Sequence, residues 1–361
     1  MNKYRLLLYF LLVFYCLPIY SKTLPNSLES MIGQMIMLGF HGTKVRDPKF
    51  AKIKAYIISG KVGGIIFYER NIVNKDKVAL FIENIRKLPT IYPLLIAIDQ
   101  EGGNVSRLKP SRGFNTFPSA KFVANNLSRR NAYKTYHKMA TDIKGLGFNV
   151  NFAPVVDLNT NPESPAIGIK GRSYSANPLT VSKYAKQFIQ THSDVGLIST
   201  LKHFPGHGSA NADSHFGFTD ITKTWNKDEY LPYRKLINTG MINLIMSAHL
   251  YNANIDKKHP ASLSKKHLFI LRQTFGYKGV IITDDLQMFA ITKSYNLEET
   301  VIHAINAGND ILLFANYFTL DTDLANKIIK IVINAIHTGE IKRKQITDSY
   351  ERILLLKKHL I

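Results

Sequence analysis

One short segment of the chain concentrates side chains that can move protons and bind polar groups. Residues 202–208 read KHFPGHG, and residues 213–215 read DSH. A proline and two glycines within four positions exclude a helix there, so the segment is predicted to be the end of a buried strand that runs into a loop. Loops held on a rigid scaffold are where catalytic groups concentrate.

The two ends of the DSH segment are candidates for an acid/base pair. Asp213 and His215 are two positions apart, so in an extended strand both side chains would point to the same face. The carboxylate could then orient the imidazole and raise its basicity. This spacing predicts a carboxylate–imidazole pair.

Three interpretations of the histidine-rich segment compete. In the first, it is a polar loop whose histidines bind backbone groups. In the second, His203 and His207 bind a metal, but their spacing suits a ligand pair on a helix, Pro205 and Gly206 exclude the helix, and Lys202 would place a cation beside the metal. The third interpretation, a metal-free acid/base and substrate-binding loop, fits best, and we expect neither a metal nor a cofactor.

The same segment resembles the signature of bacterial family 3 glycoside hydrolases of the β-N-acetylhexosaminidase type, enzymes that remove N-acetylglucosamine (GlcNAc) from peptidoglycan fragments. The resemblance runs from about residue 30 to the C-terminus, in the order of the family's motifs. The other segments that carry it are DQEGG at 99–103 with Arg107, NFAP at 151–154 with Asp157, RSY at 172–174, ITDDLQM at 282–288 and AGND at 307–310. The resemblance implies hydrolysis of a β-glycosidic bond with retention of configuration.

Retention needs a nucleophilic carboxylate on one face of the sugar and an acid/base group on the other. The family aligns its nucleophile with the aspartate directly after Ser or Thr, which is Asp284. Asp285 is the rival, but neighbouring strand residues point to opposite sides, so only one can face the sugar. The resemblance implies His215, paired with Asp213, as the acid/base, and an imidazole with an ordinary pKa near 6.5 suits a group that donates and then accepts a proton.

The resemblance also implies a set of sugar-contacting residues. These are Asp99, Arg107, Arg172, Lys202 and His203. Charged side chains can orient hydroxyl groups through charge-assisted hydrogen bonds, and the alternative for each cation is an ion pair in the barrel mouth. His249 matches the family's sixth-strand segment, where structural packing is the alternative to substrate contact.

Apolar runs alternate with amphipathic stretches along the whole chain, which predicts a single-domain (β/α)₈ barrel with a C-terminal docking helix at 346–360. The predicted strands are 35–40, 63–68, 94–99, 150–157, 197–203, 244–249, 279–284 and 310–314. The predicted helices before the docking helix are 77–87, 121–146, 179–195, 227–239, 264–275, 297–307 and 320–337.

Six chemically active side chains fall at the carboxyl ends of predicted strands, the face on which such barrels build active sites. They are Asp99, Asp157, Lys202, His203, His249 and Asp284. This pattern supports a catalytic site without the family resemblance.

The first 21 residues have the pattern of a cleaved signal peptide. Lys3 and Arg5 precede an uncharged apolar run at 6–20, and Ser21 is a small residue at a plausible cleavage point. A membrane span needs about 20 apolar residues, so we expect no stable span after cleavage, a periplasmic or secreted location, and a catalytic barrel formed by residues 22–361. Cys16 is the only cysteine, so the processed chain is expected to have no disulfide.

The chain is strongly basic, with a formal net charge of +21. Its lysines are scattered and lack an aromatic-interleaved basic motif, so a nucleic-acid partner is not expected. The expected partner is a small glycan, either a GlcNAc-containing oligosaccharide or a muropeptide, between which the residues do not choose.

Other functions remain compatible with the sequence. A related β-glycosidase or a phosphorylase is open, because a histidine acid/base tolerates an anionic acceptor better than a carboxylate does. A non-catalytic glycan-binding barrel is the alternative outside enzymes. Asp228 and Glu229 resemble the acid pair of substrate-assisted hexosaminidases, but their context predicts the acidic first turn of a helix.

Overall fold

The computed structural model describes residues 27–317, 320–358 and 360. The expected signal peptide and Cys16 lie outside these residues, so their assignment stays a prediction. Among the helices of the described chain, none has the length and apolar character needed to cross a membrane.

Eight parallel strands form the central sheet, and each pairs with its neighbour in chain order. They are β1 (Ile36–Gly39), β2 (Gly64–Phe67), β3 (Leu95–Ile98), β4 (Val150–Asn151), β5 (Ile198–Phe204), β6 (Leu244–Ser247), β7 (Val280–Thr283) and β8 (Leu312–Phe314). β8 pairs with β1, and a parallel bridge between Ile282 and Ile311 closes the ring. The predicted (β/α)₈ barrel is confirmed, and its strands are buried, as their continuous apolar runs indicated.

Helices cover the outside of the barrel. The α-helices are α1 (Leu28–Gln34), α2 (Ala51–Ile58), α3 (Lys75–Arg86), α4 (Ala120–Asn126), α5 (Arg129–Gly145), α6 (Pro178–Asp194), α7 (Tyr230–Ile237), α8 (Lys265–Phe269), α9 (Phe289–Thr292), α10 (Leu297–Ala307), α11 (Leu324–His337) and α12 (Arg343–Lys358). Short 3₁₀ turns and a π turn are at Pro48–Phe50, Glu69–Asn71, Pro110–Arg112, Lys227–Glu229, Ala261–Leu263 and Ile270–Thr274. Two pairs of short strands lie outside the barrel, Gln100–Gly102 with Val105–Ser106 and Thr219–Asp220 with Leu250–Tyr251.

The structure divides some predicted helices and adds others. The stretch 121–146 forms two helices, because the Ser128 hydroxyl accepts a hydrogen bond from the amide of Asn131 and so begins α5. The stretch 264–275 is α8 followed by the π turn. The helices α1, α2 and α9 have 7, 8 and 4 residues, too short for a clear periodic pattern.

β4 ends earlier than predicted, at Asn151 rather than Asp157. Pro154 has no amide hydrogen to donate to a neighbouring strand. The segment still follows β5, since Thr200 donates to the Ala153 carbonyl at 2.8 Å and Val156 donates to the Lys202 carbonyl at 2.8 Å. Asp157 is therefore carried to a position beside the end of β5.

The docking helix α12 lies against the amino ends of the strands. The buried ammonium of Lys357 donates to the side-chain oxygen of Gln34 at 2.6 Å and to the carbonyl of Gly63 at 2.8 Å. Ser349 and Arg352 bind Asp310, just before β8, at 2.9 and 2.8 Å. The helix α12 thus covers this end of the barrel, and the predicted site residues lie at the opposite, carboxyl end of the strands.

Candidate active site

A cavity of about 590 Å³ opens at the carboxyl ends of the strands. Apolar side chains contribute to its wall, among them Ile66, Phe152, Met246, Leu313 and Ala315. Charged side chains from the ends of β3, β4, β5 and β7 and the loops that follow them surround these apolar residues. This combination of an apolar wall and a few convergent polar groups is typical of a site for a small ligand.

Two acids and three cations form one connected network on the β3 side of the cavity. Lys202 is bonded through Nζ to Asp99 at 3.0 Å and to Glu101 at 2.7 Å. Arg107 donates to Asp99 at 3.1 Å, and Arg172 donates to both carboxylate oxygens of Glu101 at 2.7 and 2.8 Å. Each charge has a partner, which burial requires.

The same pairing sets the ionisation of the two acids. Burial opposes ionisation of Asp99, but Lys202 and Arg107 outweigh it and hold the pKa of this carboxyl well below its usual range. Burial likewise opposes ionisation of Glu101, whose pKa is lowered to about 2 by Arg172 and Lys202. Both acids are charged at neutral pH and can only accept hydrogen bonds, whereas the cations can only donate.

A hairpin immediately after β3 positions Arg107. The side-chain oxygen of Gln100 accepts hydrogen bonds from the amides of Arg107 and Leu108 at 2.9 and 3.1 Å. Gly102 forms part of the hairpin at φ +94°, and a Cβ there would approach the Pro118 carbonyl to 2.3 Å. The two glycines of DQEGG therefore serve a tight turn.

His203 is held by Asp157 at the end of β5. The Nδ1 atom of His203 lies 2.7 Å from the Asp157 carboxylate, which also accepts the amides of His203 and His207 at 3.0 and 2.9 Å. The Nε2 atom lies 3.2 Å from an Arg172 nitrogen. Since arginine can only donate, Nε2 accepts and Nδ1 carries the proton. Burial opposes ionisation of Asp157, but the interaction with His203 outweighs burial. The pKa of Asp157 is therefore lowered to about 2.

Asp213 and His215 do form a pair, but in a turn and not in a strand. The Asp213 carboxylate lies 2.6 Å from Nδ1 of His215 and 3.1 Å from its backbone amide nitrogen. The aspartate thus folds the chain back on itself, as Asp commonly does in turns. The predicted strand geometry is wrong, because the local side-chain-to-backbone bond replaces a strand ladder.

The environment of this pair favours the imidazolium. Burial lowers the pKa of His215, but its hydrogen bond to the Asp213 carboxylate and the charge of Asp284 outweigh burial, and the pKa is raised above its ordinary value. Burial opposes ionisation of Asp213, whose pKa is nevertheless held well below its usual range by His215 and Lys170. The Nζ of Lys170 lies 3.1 Å from the second carboxylate oxygen of Asp213.

Asp284 and Asp285 follow β7 and have different partners. Asp284 accepts the amide of Asp285 at 2.8 Å, and although burial raises its pKa, His249, His203 and His215 lower it overall. Asp285 accepts the amides of Ala315 and Gln287 at 2.9 and 3.1 Å, and burial raises its pKa to about 6. Asp284 therefore favours its ionised form, whereas Asp285 joins the loops after β7 and β8.

His249 lies behind the cavity and not in its lining. Its Nε2 atom is 2.8 Å from the Asp285 carbonyl and its Nδ1 atom is 2.7 Å from the Ser262 hydroxyl. A carbonyl can only accept, so Nε2 donates and Nδ1 accepts. This placement favours the packing alternative over substrate contact, with His249 supporting the backbone that carries the two aspartates.

The structure brings the other sequence-predicted residues together in one cavity. Its lining includes Asp99, Arg107, Arg172, Lys202, His203, Asp213, His215 and Asp284. Sequence reasoning missed Glu101 and Lys170. The position of Glu101 within the DQEGG motif could have identified it. No sequence pattern pointed to Lys170, because its partner Asp213 is 43 residues away.

Glu229 is a buried support below the loop after β5. It belongs to a 3₁₀ turn that precedes α7, close to the predicted acidic first turn, but it is only 1% exposed. It accepts the amide of Leu158 at 2.9 Å, and burial raises its pKa well above the usual range. Within the described part of the chain, no three His, Cys, Asp or Glu side chains are grouped as metal ligands would be.

Comparison with known proteins identifies one enzyme family. A family model described as glycosyl hydrolase family 3 N terminal domain matches residues 27–356. A β-hexosaminidase of Idiomarina loihiensis is 32% identical over 88% of this chain and 99% of its own length. β-Hexosaminidase A of Pseudoalteromonas piscicida is 29% identical over 94% of this chain, which spans 62% of that relative's length.

Solved structures give the same result. A family 3 β-N-acetylglucosaminidase from a Paenibacillus species superimposes with a TM-score of 0.84 and 32% identity, over 93% of this chain and 63% of the other. A β-N-acetylhexosaminidase from Beutenbergia cavernae superimposes with a TM-score of 0.83 and 25% identity, over 93% of this chain and 99% of the other.

Proposed function

The chain belongs to glycoside hydrolase family 3, and from this premise we propose that it is a retaining exo-β-N-acetylglucosaminidase. The observation that carries the proposal is the convergence, in one cavity, of the ionised Asp284 and the His215–Asp213 pair. An ionised carboxylate and an imidazole with a raised pKa are the two groups that the retaining reaction needs. The names of the similar enzymes support the choice of sugar.

The proposed reaction has two steps. In the first, the His215 imidazolium donates its Nε2 proton to the glycosidic oxygen while Asp284 attacks the anomeric carbon, and the leaving alcohol departs from a covalent glycosyl ester. In the second, neutral His215 takes a proton from water, which attacks the same carbon and releases Asp284. Asp213 stays ionised throughout and accepts the hydrogen bond from Nδ1–H of His215. The other ring nitrogen, Nε2, is therefore the atom that exchanges protons.

The charged network is proposed to hold the sugar's hydroxyl groups. Asp99 and Glu101 can accept hydrogen bonds from hydroxyl groups, and Arg107, Arg172 and Lys202 can donate hydrogen bonds to hydroxyl oxygens. His203 offers only an imidazole edge, because its nitrogens already bind Asp157 and Arg172. Since the network is paired before substrate arrives, little side-chain ordering is needed on binding.

The proposed substrates are glycans that end in GlcNAc, either peptidoglycan fragments or chitooligosaccharides. The proposed location is the periplasm or the exterior, after cleavage of residues 1–21. N-terminal sequencing of the mature protein from each cell fraction tests the location. A mature chain that begins at Met1 and stays in the cytoplasm contradicts it.

The experiment that tests the activity uses residues 22–361 and nitrophenyl β-N-acetylglucosaminide. We expect turnover that is much weaker on the β-glucoside and that falls by at least about 10³-fold in Asp284→Ala, because removal of the nucleophile abolishes the covalent step. Added azide should restore turnover and give the α-glycosyl azide, since azide then attacks the face that Asp284 occupied.

Two controls make the result specific. In His215→Ala, azide should instead give the β-glycosyl azide, because the covalent intermediate still forms and azide replaces water. Product analysis with added phosphate separates hydrolysis from phosphorolysis, since only a phosphorylase yields the sugar phosphate. Absence of turnover on any aryl glycoside contradicts the proposed function.

A further inference from the structure

Three helices that pack side by side on the outside of the barrel, α5, α6 and α7, concentrate positive charge. Five lysine or arginine side chains lie on α5 and two each on α6 and α7. The only acids of these helices are Asp142 and Asp194, so nine cations and two acids give a net charge of +7, against +21 for the whole chain. We call the exposed side of these three helices the basic face.

The cations of the basic face lie on the solvent side of their helices. Arg130, Lys134 and Lys138 recur every four residues along α5, a spacing that places them on one side of the helix, and all three are exposed. On α6, the middle helix, Lys183 and Lys186 are three positions apart and exposed. The charges therefore form a continuous surface across neighbouring helices.

Few of these charges are neutralised within the molecule. In the part of the chain that the structure describes, the nine cations make one ion pair, between Lys138 and Asp142 at 3.2 Å. Asp194 accepts instead from the Tyr133 hydroxyl at 2.8 Å. Neighbouring charges of one sign create a potential that attracts the opposite sign. The basic face is therefore suited to an anionic partner.

A basic segment elsewhere on the surface differs in this respect. Lys342, Arg343 and Lys344 are consecutive and exposed at the start of α12. Lys344, however, is paired with Asp348 at 2.6 Å, and Glu351 lies on the same helix. This segment supplies a control for the charge alone.

Two exposed apolar side chains lie at one end of the basic face. Leu179, in the first turn of α6, is 57% exposed, and Phe122 of α4 is 50% exposed. The two helices are in contact, since the Tyr184 hydroxyl of α6 donates to the Ala124 carbonyl of α4 at 3.3 Å. Cations and exposed apolar side chains on one surface are typical of proteins that lie on a membrane.

We propose that the basic face binds the surface of a bilayer that contains anionic phospholipids, with Phe122 and Leu179 entering the headgroup region at its edge. Each basic residue near such a surface raises affinity by about fivefold. A soluble polyanion would match the charge but offers no apolar layer for Leu179, so the apolar side chains favour the bilayer. This inference goes beyond the proposed hydrolysis and does not depend on it.

The test measures co-sedimentation of residues 22–361 with lipid vesicles. These residues include all that the structure describes and omit the apolar run at 6–20, which would itself enter a bilayer. The vesicles are phosphatidylcholine alone or with about one third phosphatidylglycerol. We expect binding to the anionic vesicles to be at least about 20-fold tighter and to be lost in about 0.5 M salt, because salt screens the attraction.

Matched charge variants assign the binding to the basic face. The pair Lys183→Gln and Lys186→Gln should weaken binding to anionic vesicles by at least about tenfold, and Lys183→Glu with Lys186→Glu should weaken it further. Lys342→Glu with Arg343→Glu makes the same charge reversal on α12 and should stay within about threefold of wild type. All of these side chains are exposed, so each variant should keep the urea midpoint of wild type.

A second pair distinguishes a bilayer from a soluble polyanion. Phe122→Ser with Leu179→Ser should weaken vesicle binding by at least about fivefold, because the apolar contact is lost. The same pair should leave binding to a single-stranded oligonucleotide unchanged, whereas the Lys183 and Lys186 reversal should weaken it.

Three outcomes overturn the proposal. One is equal binding to neutral and anionic vesicles. Another is equal weakening by the α6 and α12 reversals, which would mean that the charge of the whole molecule acts and not the basic face. The third is full vesicle binding by the serine pair, which would identify the face as a general polyanion surface. Hydrolysis of glycosides is measured separately, so failure of either proposal leaves the other standing.

Discussion

At the scale of single residues, the adjacent aspartates Asp284 and Asp285 differ in their hydrogen-bond partners. Asp285 is held by two backbone amides and has a raised pKa, while Asp284 faces three histidines and has a lowered one. A nucleophile must be ionised and must face the substrate. These surroundings support the proposal that Asp284 is the nucleophile.

Exchange of each carboxylate for its amide tests that assignment. Asp285→Asn keeps a carbonyl oxygen that can accept the amides of Ala315 and Gln287, so we expect kcat/KM on the nitrophenyl substrate to stay within about tenfold of wild type. Asp284→Asn should lower it by at least about 10³-fold. The reverse ranking of the two variants would identify Asp285 as the nucleophile.

Lys170 lies beside the proposed acid/base pair. Its cation, 3.1 Å from Asp213, competes with the His215 imidazolium for the same carboxylate. The groups that act directly on His215 are Asp213 and Asp284, which raise its pKa, and Arg172, which lowers it. We therefore expect the cation beside Asp213 to lower the pH at which His215 loses its proton.

Removal of that cation should be visible in the pH dependence of catalysis. His215 must be protonated to start the reaction, so its pKa sets the alkaline limb of the kcat/KM profile. In Lys170→Met we expect this limb to move upward by about 0.5 to 1 pH unit. Lys170→Arg keeps the charge and should leave the limb in place. A downward shift in the methionine variant contradicts the competition.

At the scale of elements, the loop after β5 depends on close backbone contacts. A Cβ on Gly208 would lie 1.5 Å from the Leu158 carbonyl oxygen, and one on Gly206 would lie 2.5 Å from the Glu229 carboxylate. The loop can lie this deep only because glycines occupy both positions. The contacts bring the backbone of His207 to Asp157, which also holds His203.

Gly208→Ala should therefore be strongly destabilising. The added methyl group meets backbone atoms that cannot rotate away, so we expect the free energy of unfolding to fall by at least about 3 kcal/mol. Gly240→Ala is the matched control. Gly240 has φ +71° but no atom within 4 Å of a built Cβ, and its strain should cost about 1 kcal/mol. Equal urea midpoints for the two variants would contradict the close contact.

At the scale of the whole molecule, one buried cation links the C-terminal helix to the barrel. Lys357 is 1% exposed and donates to the neutral oxygens of Gln34 and Gly63, with no carboxylate partner among the residues that the structure describes. Burial lowers its pKa from 10.5 to about 7. Between pH 7 and 10.5 the unfolded chain therefore binds a proton that the folded chain has released.

This difference predicts stability that rises with pH. Folding is favoured wherever the unfolded state binds more protons, so Lys357 should add roughly 2–4 kcal/mol to the free energy of unfolding as the pH rises from 7 toward 10. In Lys357→Met the rise should disappear from that window. Urea unfolding of both proteins at several pH values measures it, and parallel curves would show that Lys357 stays charged in the fold.

The sequence alone predicted the barrel architecture and most of the side chains that line the cavity. Continuous apolar runs located all eight strands, since strands buried on both faces leave no polar alternation. The active side chains at the ends of those runs had to meet, because parallel strands place their carboxyl ends on one face. Residues such as Asp99, Lys202 and Asp284 were found in this way.

Only the tertiary structure decided which of these side chains bind one another. Arg172 and Glu101 are 71 residues apart, and Lys170 and Asp213 are 43 apart, so no local pattern links them. His249 ended a predicted strand like the others, yet packing turned its ring toward Ser262 and the Asp285 backbone. Sequence periodicity determines where a strand runs, whereas orientation, burial and pKa at its end depend on neighbours that only folding brings into contact.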